Sequence, residues 1–170
     1  VQDVSFELST DNPALFAALP TVSPAGTLEF TSALDANGVA SVTATLFDDG
    51  GTANGGINAS TPYNFIISVT AVNDAPSFLL GADQVVLEDS GEHTIVEWAT
   101  GIVAGPPDEG WQDVVFQTFT NNDDLFAATP AVSVTGTLRF TPAVDRNGSA
   151  TVSIRLVDNG GVENGGVDMS

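Results

Sequence analysis

The chain has 170 residues, 22 of them acidic against three arginines (Arg139, Arg146 and Arg155) and no lysine, for a net charge of −19 at pH 7. Such a surface repels phosphate backbones and anionic lipid, which excludes nucleic-acid binding, and no apolar run approaches the ~20 residues that span a bilayer. Cysteine is absent, so disulfide scaffolds, thiolate metal sites and cysteine nucleophiles are excluded, and stability has to come from burial, or from burial plus a metal.

With no signal peptide and no initiating Met, Val1 is expected to begin a mature chain or a piece of something longer. In chain order, Pro13-Ala14-Leu15-Phe16-Ala17-Ala18 has the makings of a single helical turn, and no stretch holds a helical period long enough to build a helix layer. Leu28 and Phe30 alternate with Thr27, Glu29 and Thr31, and Ala40, Val42, Ala44 and Leu46 alternate with Ser41, Thr43 and Thr45. That period of two predicts strands with one buried face. Asn37-Gly38 between these runs supplies the positive φ of a tight turn, and Gly50-Gly51 with Asn54-Gly55-Gly56 marks a longer loop. Asn64 to Thr70 reads as a further strand. Beyond it, His93 sits on a strand-like stretch as a surface residue, Trp98 reads as core after Ile95 and Val96, and Trp111 is placed at an exposed module end.

From Trp111 onward the chain repeats itself. Val4, Phe6, Leu15, Phe16, Pro20, Gly26, Phe30, Asp35, Asn37, Gly38, Asp48 and Ser60 recur, 110 residues later and without a gap, as Val114, Phe116, Leu125, Phe126, Pro130, Gly136, Phe140, Asp145, Asn147, Gly148, Asp158 and Ser170. Roughly half of the positions in the two stretches are identical, which makes a tandem module of immunoglobulin size, ~100 residues, and not a short-period solenoid. The segment from Thr61 to about Glu109 occurs once. It is expected to close one module over residues 1–74 and to open the next over residues 75–170. The first module then lacks its opening strands and the second its final strand, either because the chain is a window on a longer array or because neighbouring copies supply the strands.

Acidic and amide residues gather where strands end, at Asp35-Ala36-Asn37, Asp48-Asp49, Asn73-Asp74, Glu88-Asp89, Asp108-Glu109, Asp145-Arg146-Asn147 and Asp158-Asn159. Oxygen ligands on loops suit a hard cation, and calcium, which accepts six to eight oxygens in loose geometry, fits better than magnesium. The same residues also form turns, because Asp and Asn side chains hydrogen-bond their own backbone.

The string GTLEFTSALDANGVASVTATLFDDGG from Gly26, followed after a variable loop by NFIISVTAVNDAPSF, resembles the second half of a cadherin repeat. More narrowly, it is similar to the bacterial cadherin-like repeats of very large surface proteins, and Leu87-Glu88-Asp89-Ser90-Gly91 fits their acidic opening strand. The resemblance implies an all-β chain of tandem immunoglobulin/cadherin-like Greek-key β-sandwich modules, extracellular or at the cell surface, in which calcium stiffens the intermodule linker of a structural or adhesive array. It implies one calcium site from Asp35, Asn37, Asn73, Asp74, Asp108 or Glu109, and Asp158. Glu88, Asp89, Asp145 and Asn147 would serve the next junction, and Asp48 or Asp49 the preceding one. Asn37 stands where the family has Glu, Ala75 replaces the linker's second Asn, and Gly105-Pro106-Pro107-Asp108 does not reproduce Asp-x-Asp, so fewer ions or weaker binding are implied.

No nucleophile elbow or catalytic triad is present, and a lone histidine gives catalysis no support, so the chain is not expected to be an enzyme. The expected partners are neighbouring repeats or copies of the chain itself, with a cell-surface glycan or protein as a further candidate. Two other functions stay open: a carbohydrate-binding sandwich using Trp98, Trp111 or Tyr63, and a filament subunit completed by donor strands.

Overall fold

The computed structural model describes residues 2–170 and is all-β, its helical content confined to three-residue 3-10 turns. The chain divides into two compact units, Val1–Ala71 and Val72–Ser170. Among the described residues no helix is long and apolar enough to cross a membrane.

In the first unit, β1 (Val4–Thr10), β2 (Phe16–Val22), β3 (Leu28–Ser32), β4 (Gly38–Asp48) and β5 (Tyr63–Val69) form a three-stranded sheet β1-β4-β5 and a pair β2-β3, all antiparallel. The single turn expected near Pro13 is a 3-10 turn at Pro13–Leu15, after which Phe16 already begins β2. Positive φ in the turn before β4 falls on Asp35 (54°) and Gly38, and not on Asn37. Aspartate tolerates the left-handed region because its short side chain bonds locally.

The second unit contains β6 (Ser77–Leu79), β7 (His93–Ile95), β8 (Thr100–Val103), β9 (Val114–Thr120), β10 (Phe126–Val132), β11 (Leu138–Pro142) and β12 (Val152–Asp158), arranged as β10-β11-β7, β12-β9 and β6-β8. The sequence repeat is also a structural one. Val4↔Asp48 to Thr10↔Val42 in the first unit becomes Val114↔Asp158 to Thr120↔Val152 in the second, and the bulges of β2-β3 recur at matching positions of β10-β11. The stretch Leu87–Gly91, expected as a strand, instead turns at Glu88-Asp89, with Asp89 at φ 62° and the Ser90 hydroxyl donating to the Leu87 carbonyl at 2.6 Å. Such local side-chain bonds compete with a ladder.

Each unit buries the half of the repeat for which it has covering strands. The first core consists of Leu15, Phe16, Ala40, Val42 and Ile67, with Phe65 and Val69 of β5 packed against it. The second is built around Ala99, Phe116, Val132, Leu138, Phe140 and Leu156, with Phe78, Ile95, Trp98 and Ile102 from the singly occurring segment. Trp98 therefore packs against the core as expected, its indole N–H donating to the Ala82 carbonyl at 2.9 Å. His93 is half-buried and not a surface residue, because its ring stacks on Phe140 at 5.2 Å. Leu28 and Phe30, whose alternation predicts burial, are 40% and 43% exposed, whereas their repeat counterparts Leu138 and Phe140 are buried. Only β11 has β7 beside it.

Gly26 and Gly136 measure the same difference. Both have positive φ, but a Cβ on Gly26 meets nothing, whereas one on Gly136 would overlap the Ala99 carbonyl. Gly26→Ala is expected to cost about 1–2 kcal/mol from left-handed backbone alone. Gly136→Ala should cost clearly more, and equal losses in urea unfolding would mean that Ala99 does not pack there.

Candidate functional site

Four of the sequence-predicted ligands lie together at one end of the second unit. Asn73 Nδ2 donates to Asp158 Oδ1 at 3.0 Å and to the Val167 carbonyl at 2.7 Å, while the Val167 N–H donates to the Asn73 carbonyl at 3.0 Å. The Asp74 N–H donates to Glu109 Oε1 at 3.0 Å. Gln112 Nε2 donates to Asn73 Oδ1 at 2.8 Å, so both ends of the Asn73 amide are engaged and Asn73 acts as a brace. The Gly160 N–H donates to the same Asp158 Oδ1 at 2.8 Å.

The chain positions these groups by turns. A 3-10 turn at Pro107–Glu109 presents Asp108 and Glu109, and the close of β12 presents Asp158. Glu109 and Asp158 are only 6% and 7% exposed, and Glu109 Oε2, Gln112 Oε1 and Asp158 Oδ2 are buried with no hydrogen-bond donor among the described residues. A buried acceptor left unpaired costs on the order of 1–3 kcal/mol, more when charged. Burial pushes the Glu109 carboxyl above its ordinary value, and the negative charges of Asp74, Asp108 and Asp158 push it the same way, against the lowering effect of the Asp74 N–H. A Cβ on Gly105 would overlap Glu109 Oε2, so glycine at this position leaves room for the carboxylate.

Gln112 is the residue that sequence reasoning missed. Its signal lies in the repeat, since Gln2 occupies the matching position, and a Cβ on Gly50 would overlap the Gln2 amide. At that end of the first unit, Asp48 Oδ1 accepts from the Gly50 N–H at 2.7 Å, the local bond that Asp158 makes with Gly160, and Asp49 Oδ1 accepts from the Asp3 N–H at 3.0 Å, a bond between chain segments 46 residues apart.

Asp35 and Asn37 lie in the first unit, in the turn between β3 and β4. Of the residues expected to serve a further junction, the second unit gathers all four. The Asp145 N–H donates to Asp89 Oδ1 at 2.9 Å and Asn147 Nδ2 to Glu88 Oε2 at 3.5 Å, and all four side chains are exposed.

Among the described residues no three Asp, Glu, His or Cys side chains group as a metal centre of their own. An ion at the Glu109 site would draw on the Gln112 amide oxygen as well as carboxylates. The donor set fits a hard cation: it is all oxygen, partly anionic, buried, and has three acceptors without donors. Comparison of the chain with protein-family models, with curated proteins and with solved structures finds no match.

Proposed function

We propose that the chain is a pair of tandem β-sandwich repeats from an extracellular structural or adhesive array, and that calcium binds at the module end formed by Glu109, Gln112 and Asp158, braced by Asn73 and Asp74. The carrying observation is the trio of buried oxygens without donors, the kind of acceptor that a bound cation satisfies. Asp108 belongs to the same turn, and Asp35 and Asn37 are candidates on the strength of the cadherin-like pattern. The high negative charge favours cation uptake, and calcium here would neutralise the mutual repulsion of Asp74, Asp108, Glu109 and Asp158. Its role is structural, ordering loops that otherwise repel one another.

A glycan-binding reading draws less support. Trp98 is committed to the core, and Trp111 and Tyr63, 74% and 71% exposed, belong to different units.

Thermal unfolding in EDTA and then in a few millimolar calcium tests the proposal. Calcium bound by the folded form alone stabilises by RT ln(1+[L]/Kd), about 0.4–1.4 kcal/mol for calcium at one to ten times Kd. The melting temperature is expected to rise in the wild type and not in Gly105→Ala, which displaces the Glu109 carboxylate. An unchanged wild type would reduce these acidic loops to turns and solvated surface.

A further inference from the structure

The two units show, one for the other, what each repeat lacks. In the first, β4 runs for 11 residues because β5 pairs with its opening half, from Gly38↔Val69 to Ala44↔Tyr63. In the second, the strand begins only at Val152, and the matching residues 148–151 are not strand. The far end of this edge is occupied in both repeats: Leu46 and Asp48 bond to Ser60 and Asn58, and Leu156 and Asp158 bond to Ser170 and Asp168. On the opposite side the two also agree, since Ser41 exchanges hydrogen bonds with Asp11, and Thr151 with Asn121. Because backbone groups alternate sides along a strand, those of Ala150, Val152 and Ile154 point to the open stretch of β12.

Burial follows the same division. Leu15, Phe16, Ala40 and Val42 are buried under β5, whereas Leu125, Phe126, Ala150 and Val152 are only half-buried. From this repeat-by-repeat difference we infer that the open edge of β12 is an acceptor for one additional antiparallel strand of β5 type, Tyr-Asn-Phe-Ile-Ile-Ser-Val. In the register of the first unit, the counterparts of Val69, Ile67, Phe65 and Tyr63 lie opposite Gly148, Ala150, Val152 and Ile154. Main-chain hydrogen bonds hold the strand, and its phenylalanine, isoleucine and valine close the half-open core.

The occupant is a further repeat segment and not the β5 of a second copy of these residues. Each copy carries one β5 and two edges that take it, so donation to a neighbour uncovers Ala40 and Val42 at home. Exchange between copies conserves the number of open edges, and only an additional strand of this type reduces it.

The test adds the sequence of residues 61–72 directly after Ser170, which occupies the repeat position of Ser60, and follows amide hydrogen exchange of the full chain in EDTA, so that the outcome is independent of calcium. Exchange at Ala150, Val152 and Ile154 is expected to slow by about tenfold or more, and the melting temperature to rise. The same extension with the isoleucine that matches Ile67 changed to aspartate should do neither. No protection, or equal protection from both extensions, would overturn the inference. So would protection in the unextended chain that grows with protein concentration, because another copy would then be covering the edge.

Discussion

Leu156→Ala is expected to destabilise the second unit by about 2–5 kcal/mol, as large-to-small changes at closed core positions do. Leu156 is 0% exposed and sits among Phe116, Val132, Leu138 and Phe140, where a cavity cannot be relieved by solvent. Its repeat counterpart Leu46 is half-buried, so Leu46→Ala should cost distinctly less. The ranking reverses four residues earlier on the same strand: Val42 is fully buried and Val152 half-buried, so Val42→Ala is the costlier of that pair. Denaturant unfolding of the four variants measures this crossing pattern. Equal losses within each pair would mean that the two repeats bury these positions alike, contrary to the complementary halves described above.

Glu109→Gln is expected to stabilise the chain in the absence of calcium and to lose part of that advantage when calcium is present. In EDTA, once the wild-type carboxyl is ionised, its Oε2 is a buried charge without a donor, and removing that charge should stabilise the chain by on the order of 1–3 kcal/mol. The sign with pH follows from the raised pKa of Glu109. A carboxyl whose folded value lies above its unfolded value favours folding while protonated. Its contribution is fully present below the ordinary value of about 4.5 and is lost as pH rises through the elevated one. The advantage of Glu109→Gln in EDTA should therefore shrink as the solution is acidified towards pH 4. In millimolar calcium at pH 7 that advantage should narrow by up to about 1.4 kcal/mol, because the ion binds a carboxylate more strongly than a neutral amide. Unfolding curves of both proteins across pH, in EDTA and in calcium, check each sign. A variant that is less stable than the wild type in EDTA at pH 7 would refute the account of Glu109 as an uncompensated buried charge.

Much of the fold was legible because a repeat offers two readings of the same pattern. The recurrence of Asp48, Gly50 and Ser60 as Asp158, Gly160 and Ser170 carries over into matching backbone contacts, and the alternation at Ala40 and Val42 marks a face that is buried. Alternation at Leu28 and Phe30 misled, because the pattern encodes which face is apolar and not whether a strand such as β7 lies over it. Leu87–Gly91 misled for a local reason: the Ser90 hydroxyl and the left-handed Asp89 make a turn out of residues with strand-like composition. At the candidate site, Asn73, Asp74, Glu109 and Asp158 could be named from loop chemistry. The brace role of Asn73 and the orphaned oxygen of Gln112 could not, since they depend on which end of an amide faces which neighbour.

The central claim is that the module end at Glu109, Gln112 and Asp158 takes up calcium, and calorimetric titration of calcium into the metal-free full chain at neutral pH tests it most directly. The account predicts a saturable isotherm with a Kd of ~10⁻⁴–10⁻³ M, as in extracellular calcium modules, weakened by about tenfold or more in Glu109→Gln. Absence of a binding heat together with an unchanged melting temperature, or an isotherm that Glu109→Gln leaves unaltered, would contradict it.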